Sequence, residues 1–264
     1  MTSNKANNTT TSSETEAPRS SFSNKETIKA FYSYGLELVM DQGGGGMGFS
    51  YQKVDVYTAY AFLNFLVQEM SIYSTDLIKK AKVDKIVLCK EMILKNRSIC
   101  GMANVVPLPA DLNWIRFIFF GKNAIFFDAT KLDVDSRCTI HHELFHAIDA
   151  FDANFMRLDP AWAQLNRPNF RYNDDFPRVT HQSAESQGFL SDYSMQAVHE
   201  DKAELYCNMI VNYTGVEARA QLDPILRAKV NRIKDLTLAF SPEFNEKFWK
   251  ERELASVHID YPVK

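Results

Sequence analysis

The stretch CTIHHELFHAID, Cys138–Asp149, decides how this chain is read. Ile140, Leu144, Phe145 and Ile148 recur at helical spacing and supply a buried side. The spacing predicts a helix over 136–151, capped by Asp135 or Ser136. On it His142 and His146 stand four residues apart, hence on one face, where both imidazoles can meet one metal ion. Glu143 follows His142 and points toward the same side. Imidazole nitrogens so spaced suit zinc, and a neighbouring carboxylate can accept the proton of a water that zinc has acidified. The plainer alternative is a helix with two satisfied histidines and a solvated Glu143. Against it stands the context, because the helix directly follows β-prone segments and is apolar at its other positions. His141, just before the motif, points off the ligand face.

Two histidines do not complete a catalytic zinc site, which normally takes a third protein ligand. Asp152 falls where the last ligand of an HExxHxxGxxH arrangement would stand. Asp149 occupies the glycine position of that arrangement, so the turn that would bring Asp152 back is missing. The stronger source is YSMQAVHEDKAELY, Tyr193–Tyr206, where Glu200 and Glu204 share one helical face. One of them can bind the metal while the other accepts a proton from a ligand imidazole and holds its tautomer. Tyr193, seven residues before Glu200, can donate a hydrogen bond to the oxyanion formed when water attacks a carbonyl. The plain reading of this stretch is a solvated helix face with ordinary i, i+4 pairing. His181 and His199 are not needed as ligands, and His181 is a spare donor for the oxyanion.

Upstream of the motif the period changes. Lys85–Cys89, Ile99–Val106, Trp114–Phe120 and Asn123–Asp128 are short and β-prone, and Gly121-Lys122 joins the last two closely enough for a hairpin. Before them, helices are predicted over 26–40 and 55–81. Between these lies DQGGGGMGFS, Asp41–Ser50, with no following Lys-Ser or Lys-Thr and so no P-loop; it reads as a hinge or surface loop. Downstream, 152–192 reads as a long irregular connection of the kind that walls a site. Trp162, Pro168, Phe170, Tyr172 and the stretch Phe189–Asp192 are its candidate pocket residues. Helices over 195–213, 215–238 with a break at Pro224, and 242–253 complete the chain. The expected fold is α+β: a small mixed sheet, the HExxH helix, then a mainly helical C-terminal part. A polar tail over 1–25 precedes one domain over 26–264, with 26–82 as a candidate N-terminal helical subdomain.

Composition narrows the function further. The 264 residues carry 30 Lys plus Arg against 33 Asp plus Glu, which gives no support to a broad basic surface for nucleic acid. No run approaches the roughly 20 apolar residues of a membrane span. The first 25 residues lack the apolar core of a signal peptide, so a cytoplasmic or non-classically exported protein is expected. Cys89, Cys100, Cys138 and Cys207 are not closely paired and read as buried free thiols, with one or two disulfides left open.

HELFHAID taken together with GFLSDYSMQAVHEDKAE, Gly188–Glu204, resembles the gluzincin-type zinc metallopeptidases of the anthrax-lethal-factor-like group. It is also similar to the zinc-binding metallopeptidases of bacterial lipoproteins, whose second motif reads much like GF(V/L)SxYAxxxxxEDxAE. The resemblance covers residues 114–213 and departs at Phe145, Tyr193-Ser194 and Lys202. It implies a zincin-like fold and one catalytic Zn2+ held by His142, His146 and Glu200. By the same resemblance Glu143 is the general base, Tyr193 assists the carbonyl, and Glu204 and Asp149 support the ligands from behind. The implied activity is that of an endopeptidase on a peptide or protein substrate, which would add to an edge strand at 114–120 or 123–127. Two rivals remain: a zincin-fold binding module without turnover, for which Glu143 has no use, and a zinc hydrolase of non-peptide amides.

Overall fold

In the computed structural model, which describes residues 24–46, 48–104, 122–132, 134–152, 159–173 and 187–256, the chain opens with helix α1 (Asn24–Ser33). Strands β1 (Glu37–Val39), β2 (Gly44–Gly46) and β3 (Phe49–Lys53) follow, then helices α2 (Val56–Met70) and α3 (Thr75–Lys80). Strands β4 (Lys85–Leu94), β5 (Arg97–Ser98), β6 (Gly101–Asn104) and β7 (Ala124–Asp128) come next. The remainder is helical: α4 (Val134–Asp152), α5 (Pro160–Ala163), α6 (Val198–Val211), α7 (Tyr213–Leu222), α8 (Pro224–Phe240) and α9 (Glu246–Ser256). Among the described residues no helix is long and apolar enough to cross a membrane.

The strands form one mixed sheet in the order β2-β3-β4-β7-β6, with β1 and β5 also pairing β4. β4 is its axis. Its first half runs parallel to both β1 and β7, and its second half runs antiparallel to β3 and β5. Side chains alternate along it, as the pleat requires. Ile86 and Leu88 join Ile125 and Phe127 under the helices, while Val87 and Cys89 join Phe126 on the opposite face. Lys95 and Asn96, both with positive φ, close the β4–β5 hairpin in two residues.

Several expectations change here for local reasons. The first helix stops at Ser33, because Gly35 turns left-handed at φ 77°, and Glu37–Val39 pairs with β4 as a strand. The second helix breaks in two where Ser74 caps α3, its hydroxyl accepting from the Leu77 amide at 3.1 Å. Gly44–Gly46 is a strand rather than a hinge. It lies so close to β3 that a Cβ on Gly44 would meet the Tyr51 hydroxyl at 2.7 Å. The helix that carries HELFH begins at Val134, and Ser136 sits inside it, its hydroxyl turned back to the Lys131 carbonyl. β7 is paired along both sides, by β4 and β6, so it is not an edge strand; Trp114–Phe120, and with it the expected hairpin, lies outside the described residues. Cys138 and Cys207 form a disulfide, while Cys89 is a buried free thiol and Cys100 is exposed.

α4 and α6 pack side by side at the centre of the helical part, with Phe145 stacked on Tyr206 at 4.7 Å between ring centroids. Two buried polar networks brace them. On the α2 side, Tyr206 donates to the Tyr73 hydroxyl, which lies 2.8 Å from His141 Nδ1, and the far nitrogen of that imidazole lies 3.2 Å from Glu69. On the α8 side, one oxygen of Asp201 accepts from Trp162 Nε1, the Tyr172 hydroxyl and Lys229 Nζ, each at 2.7 Å. Lys229 is fully buried, and its ammonium also lies 3.6 Å from the centre of the Phe189 ring. Trp162 and Phe189 are therefore core residues and not pocket walls, a correction to the sequence reading.

Removing one partner of a buried charge pair strands the other charge away from water. Asp201→Ala should accordingly lower the unfolding free energy by about 3–5 kcal/mol. Urea titration followed by circular dichroism measures it, and a loss below about 1 kcal/mol, typical of an exposed pair, contradicts the account.

Candidate metal centre

His142 and His146 lie on the α4 face turned toward α6, and both are buried. Across from them α6 presents Glu200 in its first turn. Glu200 Oε2 is 3.0 Å from His142 Nε2 and 3.4 Å from His146 Nε2, and ligand atoms of the three residues lie within 4.8 Å of one another. Two nitrogens and a carboxylate oxygen are a zinc donor set. Ligands at about 2.0–2.1 Å in a tetrahedron stand about 3.3 Å apart, close to both of these separations.

The electrostatics of the pocket fit a cation as well. Burial opposes charge on His142, but hydrogen bonds to Glu200 and Glu204, with the nearby charge of Glu143, outweigh it and raise its pKa to about 10. His146 is as deeply buried, and desolvation with the neighbouring His142 charge pushes it down to about 4 despite its bond to Glu200. Burial likewise works against the Glu200 carboxylate, yet its three histidine partners hold it well below the ordinary range. The carboxylates thus draw positive charge into the site. A divalent ion satisfies that demand with both imidazoles neutral, the form in which histidine binds a metal.

The neighbours fall around this group. Glu204 Oε1 lies 3.3 Å from His142 Nδ1, the nitrogen not aimed at Glu200, and its other oxygen accepts from the Ser191 hydroxyl at 2.8 Å. Glu143 is buried beside His142. Tyr193, in the 3₁₀ turn before α6, places its ring 5.9 Å from the His142 ring. Partial burial, then the charges of Glu200 and Glu143, keep its phenol protonated far above the usual range. His199 Nε2 lies 3.2 Å from the second oxygen of Glu200. Asp149, expected to support a ligand histidine, accepts from Lys202 Nζ at 2.9 Å, and the same ammonium reaches Asp159 at 2.9 Å. Asp152 ends α4 with its side chain outside the described residues, as is His181.

The sequence reading named Ser191 only within the Phe189–Asp192 stretch and set His199 aside as a ligand, because spacing assigned neither a partner, and it missed Gly101. Gly101, the first residue of β6, lies so close to α4 that a Cβ there would meet Glu143 Cγ at 2.7 Å and the Thr139 methyl at 2.8 Å. A glycine inside a β-prone run is a signal for close backbone approach, and ICGMANVV carried it. Gly101→Ala should destabilise the fold by about 1–3 kcal/mol through overpacking. Adding Thr139→Ser, which removes the methyl group, should recover part of that loss in urea unfolding; a neutral Gly101→Ala rules out the close contact.

Comparison with known proteins follows the same lines. Residues 119–236 match the family described as "Putative zinc-binding metallo-peptidase". No curated protein matches the chain in sequence. Among solved structures, the crystal structure of a "putative zinc-binding metallo-peptidase from Bacteroides caccae ATCC 43185" at 2.10 Å superposes with a TM-score of 0.53. It is 13% identical, and the match covers 93% of this chain and 97% of that one. Residues 119–236 therefore match the zinc-binding metallo-peptidase family, on a mixed α+β fold that nearly the whole chain shares with a solved structure of the same description.

Proposed function

We propose that this chain is a zinc-dependent endopeptidase, with His142, His146 and Glu200 holding the metal. The observation that carries this reading is the convergence of two imidazole nitrogens and one carboxylate oxygen within 4.8 Å, with the Glu143 side chain buried alongside. Bound zinc supplies Lewis acidity, which makes a neighbouring water a better acid and a carbonyl a better electrophile.

The protein's own groups do the rest. Glu143 takes a proton from the attacking water onto its carboxylate and hands it to the departing amine. Tyr193 keeps its hydroxyl proton at neutral pH and donates a hydrogen bond from Oη to the oxygen on which charge develops. Glu204, against His142 Nδ1, fixes the tautomer that leaves Nε2 free to bind. β6 ends the strand order among the described residues and lies over Glu143, so an extended peptide would pair along it, in place of the 123–127 stretch.

Purified protein should hold about one equivalent of zinc by elemental analysis. Glu143→Gln should keep the metal and lose peptide cleavage by at least about 100-fold. Glu200→Ala should lose the metal. Tyr193→Phe should lower kcat by about 100-fold with zinc retained. A protein that takes up no zinc, or a Glu143→Gln variant that still cleaves a peptide library at the wild-type rate, refutes the reading. Zinc uptake without cleavage of any peptide would favour the non-hydrolytic binding module instead.

A further inference from the structure

Each of the two helices that carry the metal-donor side chains also carries one cysteine on the same face. Cys138 precedes His142 by four residues on α4; Cys207 follows Glu204 by three and Glu200 by seven on α6. Such offsets are whole turns of an α-helix, so cysteines and donors line up along the seam between the helices. The two sulfurs are joined, with α-carbons 4.9 Å apart. Glu204, which touches His142 on one side, brings a carboxylate oxygen within 4.8 Å of both sulfurs. Asn208 fills the remaining space, its amide donating to the Glu204 carbonyl at 2.8 Å and lying 3.7 Å from Cys138 Sγ.

The pairs along the seam show that the helices run antiparallel. The early α4 residue Cys138 meets the late α6 residue Cys207, and the late α4 residue Asp149 meets the early α6 residue Lys202. On α4 both histidine donors therefore lie between two ties, one covalent and one ionic, and on α6 Glu200 stands two residues beyond the ionic one. Metal–ligand distances tolerate errors of only about 0.2 Å, so the spacing of α4 and α6 sets whether all three donors reach one ion. The disulfide is the tie that does not yield to thermal motion of side chains.

We propose that Cys138 and Cys207 are positioning residues of the metal centre, and that opening their disulfide weakens zinc binding. This inference rests on the zinc site of the preceding section. Opening by a trialkylphosphine is balanced without any group from the protein's site. Phosphorus attacks one sulfur, the S–S bond breaks, and the other sulfur leaves and is protonated. Water then displaces the first sulfur as a thiol, giving the phosphine oxide.

Zinc affinity is measured by competition with a chromogenic chelator on three samples: the oxidised full chain, the phosphine-treated full chain, and the Cys138→Ser, Cys207→Ser double variant. The oxidised chain should bind tightest, and the other two should be weaker by about ten- to a hundredfold, with unchanged far-ultraviolet circular dichroism. Phosphine should not alter the double variant further, which separates this pair from Cys89 and Cys100. If the double variant does not fold, the phosphine-treated chain answers alone. Equal affinity in the oxidised and opened states overturns the proposal. So does a second zinc equivalent on reduction, since the thiols would then be ligands. An oxidised chain that binds no zinc overturns the metal centre itself, a result distinct from zinc bound equally in every state.

Discussion

Burying carboxylates and imidazoles in one cleft between two helices is the constraint on which the rest of this structure depends. Glu143, Glu200 and Glu204 face His142 and His146 with little access to water. A charge removed from solvent without partners costs several kcal/mol or more, so such a cluster persists only if every member is met by opposite charge or a donor. The α4–α6 seam provides that. His142 stands between Glu200 and Glu204, Glu200 between three histidines, and Glu204 between His142 and Ser191. The contacts of His142 and His146 with Glu200 and Glu204 need both helices in one register; a slide of one residue would break them together.

That register explains the polar networks deeper in the fold. Asp201 follows Glu200 on α6 and points the opposite way, into Trp162, Tyr172 and Lys229. His141 precedes His142 on α4 and likewise points away, toward Tyr73 and Glu69. His142 and Glu200 thus each have a sequence neighbour anchored on the far side of the helix, and rotation of either helix about its axis would strand a buried polar group. The N-terminal helices gain a purpose from this. Glu69 and Tyr73, contributed by α2 and the turn after it, grip the back of α4.

The site was more legible in the sequence than the fold around it. HELFH and HEDKAE bring their side chains together because helical spacing is local: four residues apart means one face wherever the helix sits. Strand identity is not local. Leu36–Met40 is apolar enough to continue a helix, and only the left-handed turn at Gly35 and pairing with Lys85–Val87 make Glu37–Val39 a strand. The same limit applies to Asn123–Asp128, whose alternation shows a strand but not that β4 and β6 cover both its sides. Cys138 and Cys207 are 69 residues apart, and no pattern in the chain links them until both helices are placed. The glycine run misled for a related reason. Glycine permits freedom, but here it permits contact, because a Cβ on Gly45 would fall 2.6 Å from the Phe49 carbonyl.

Gly101 joins these two lessons. A strand packed on a helix is normally held off by its inward side chains, which set the sheet-to-helix gap. At Gly101 there is none, and the β6 backbone settles against Glu143 and Thr139 of α4. Tight contact here confines a carboxylate that would otherwise have several rotamers open to it, since a glutamate in a helix keeps most of its side-chain freedom. Confinement suits the proton acceptor proposed for Glu143, whose oxygen would have to stay near one point through the reaction. The sheet therefore does more than close the core under α4: its last described strand holds the Glu143 side chain against that helix.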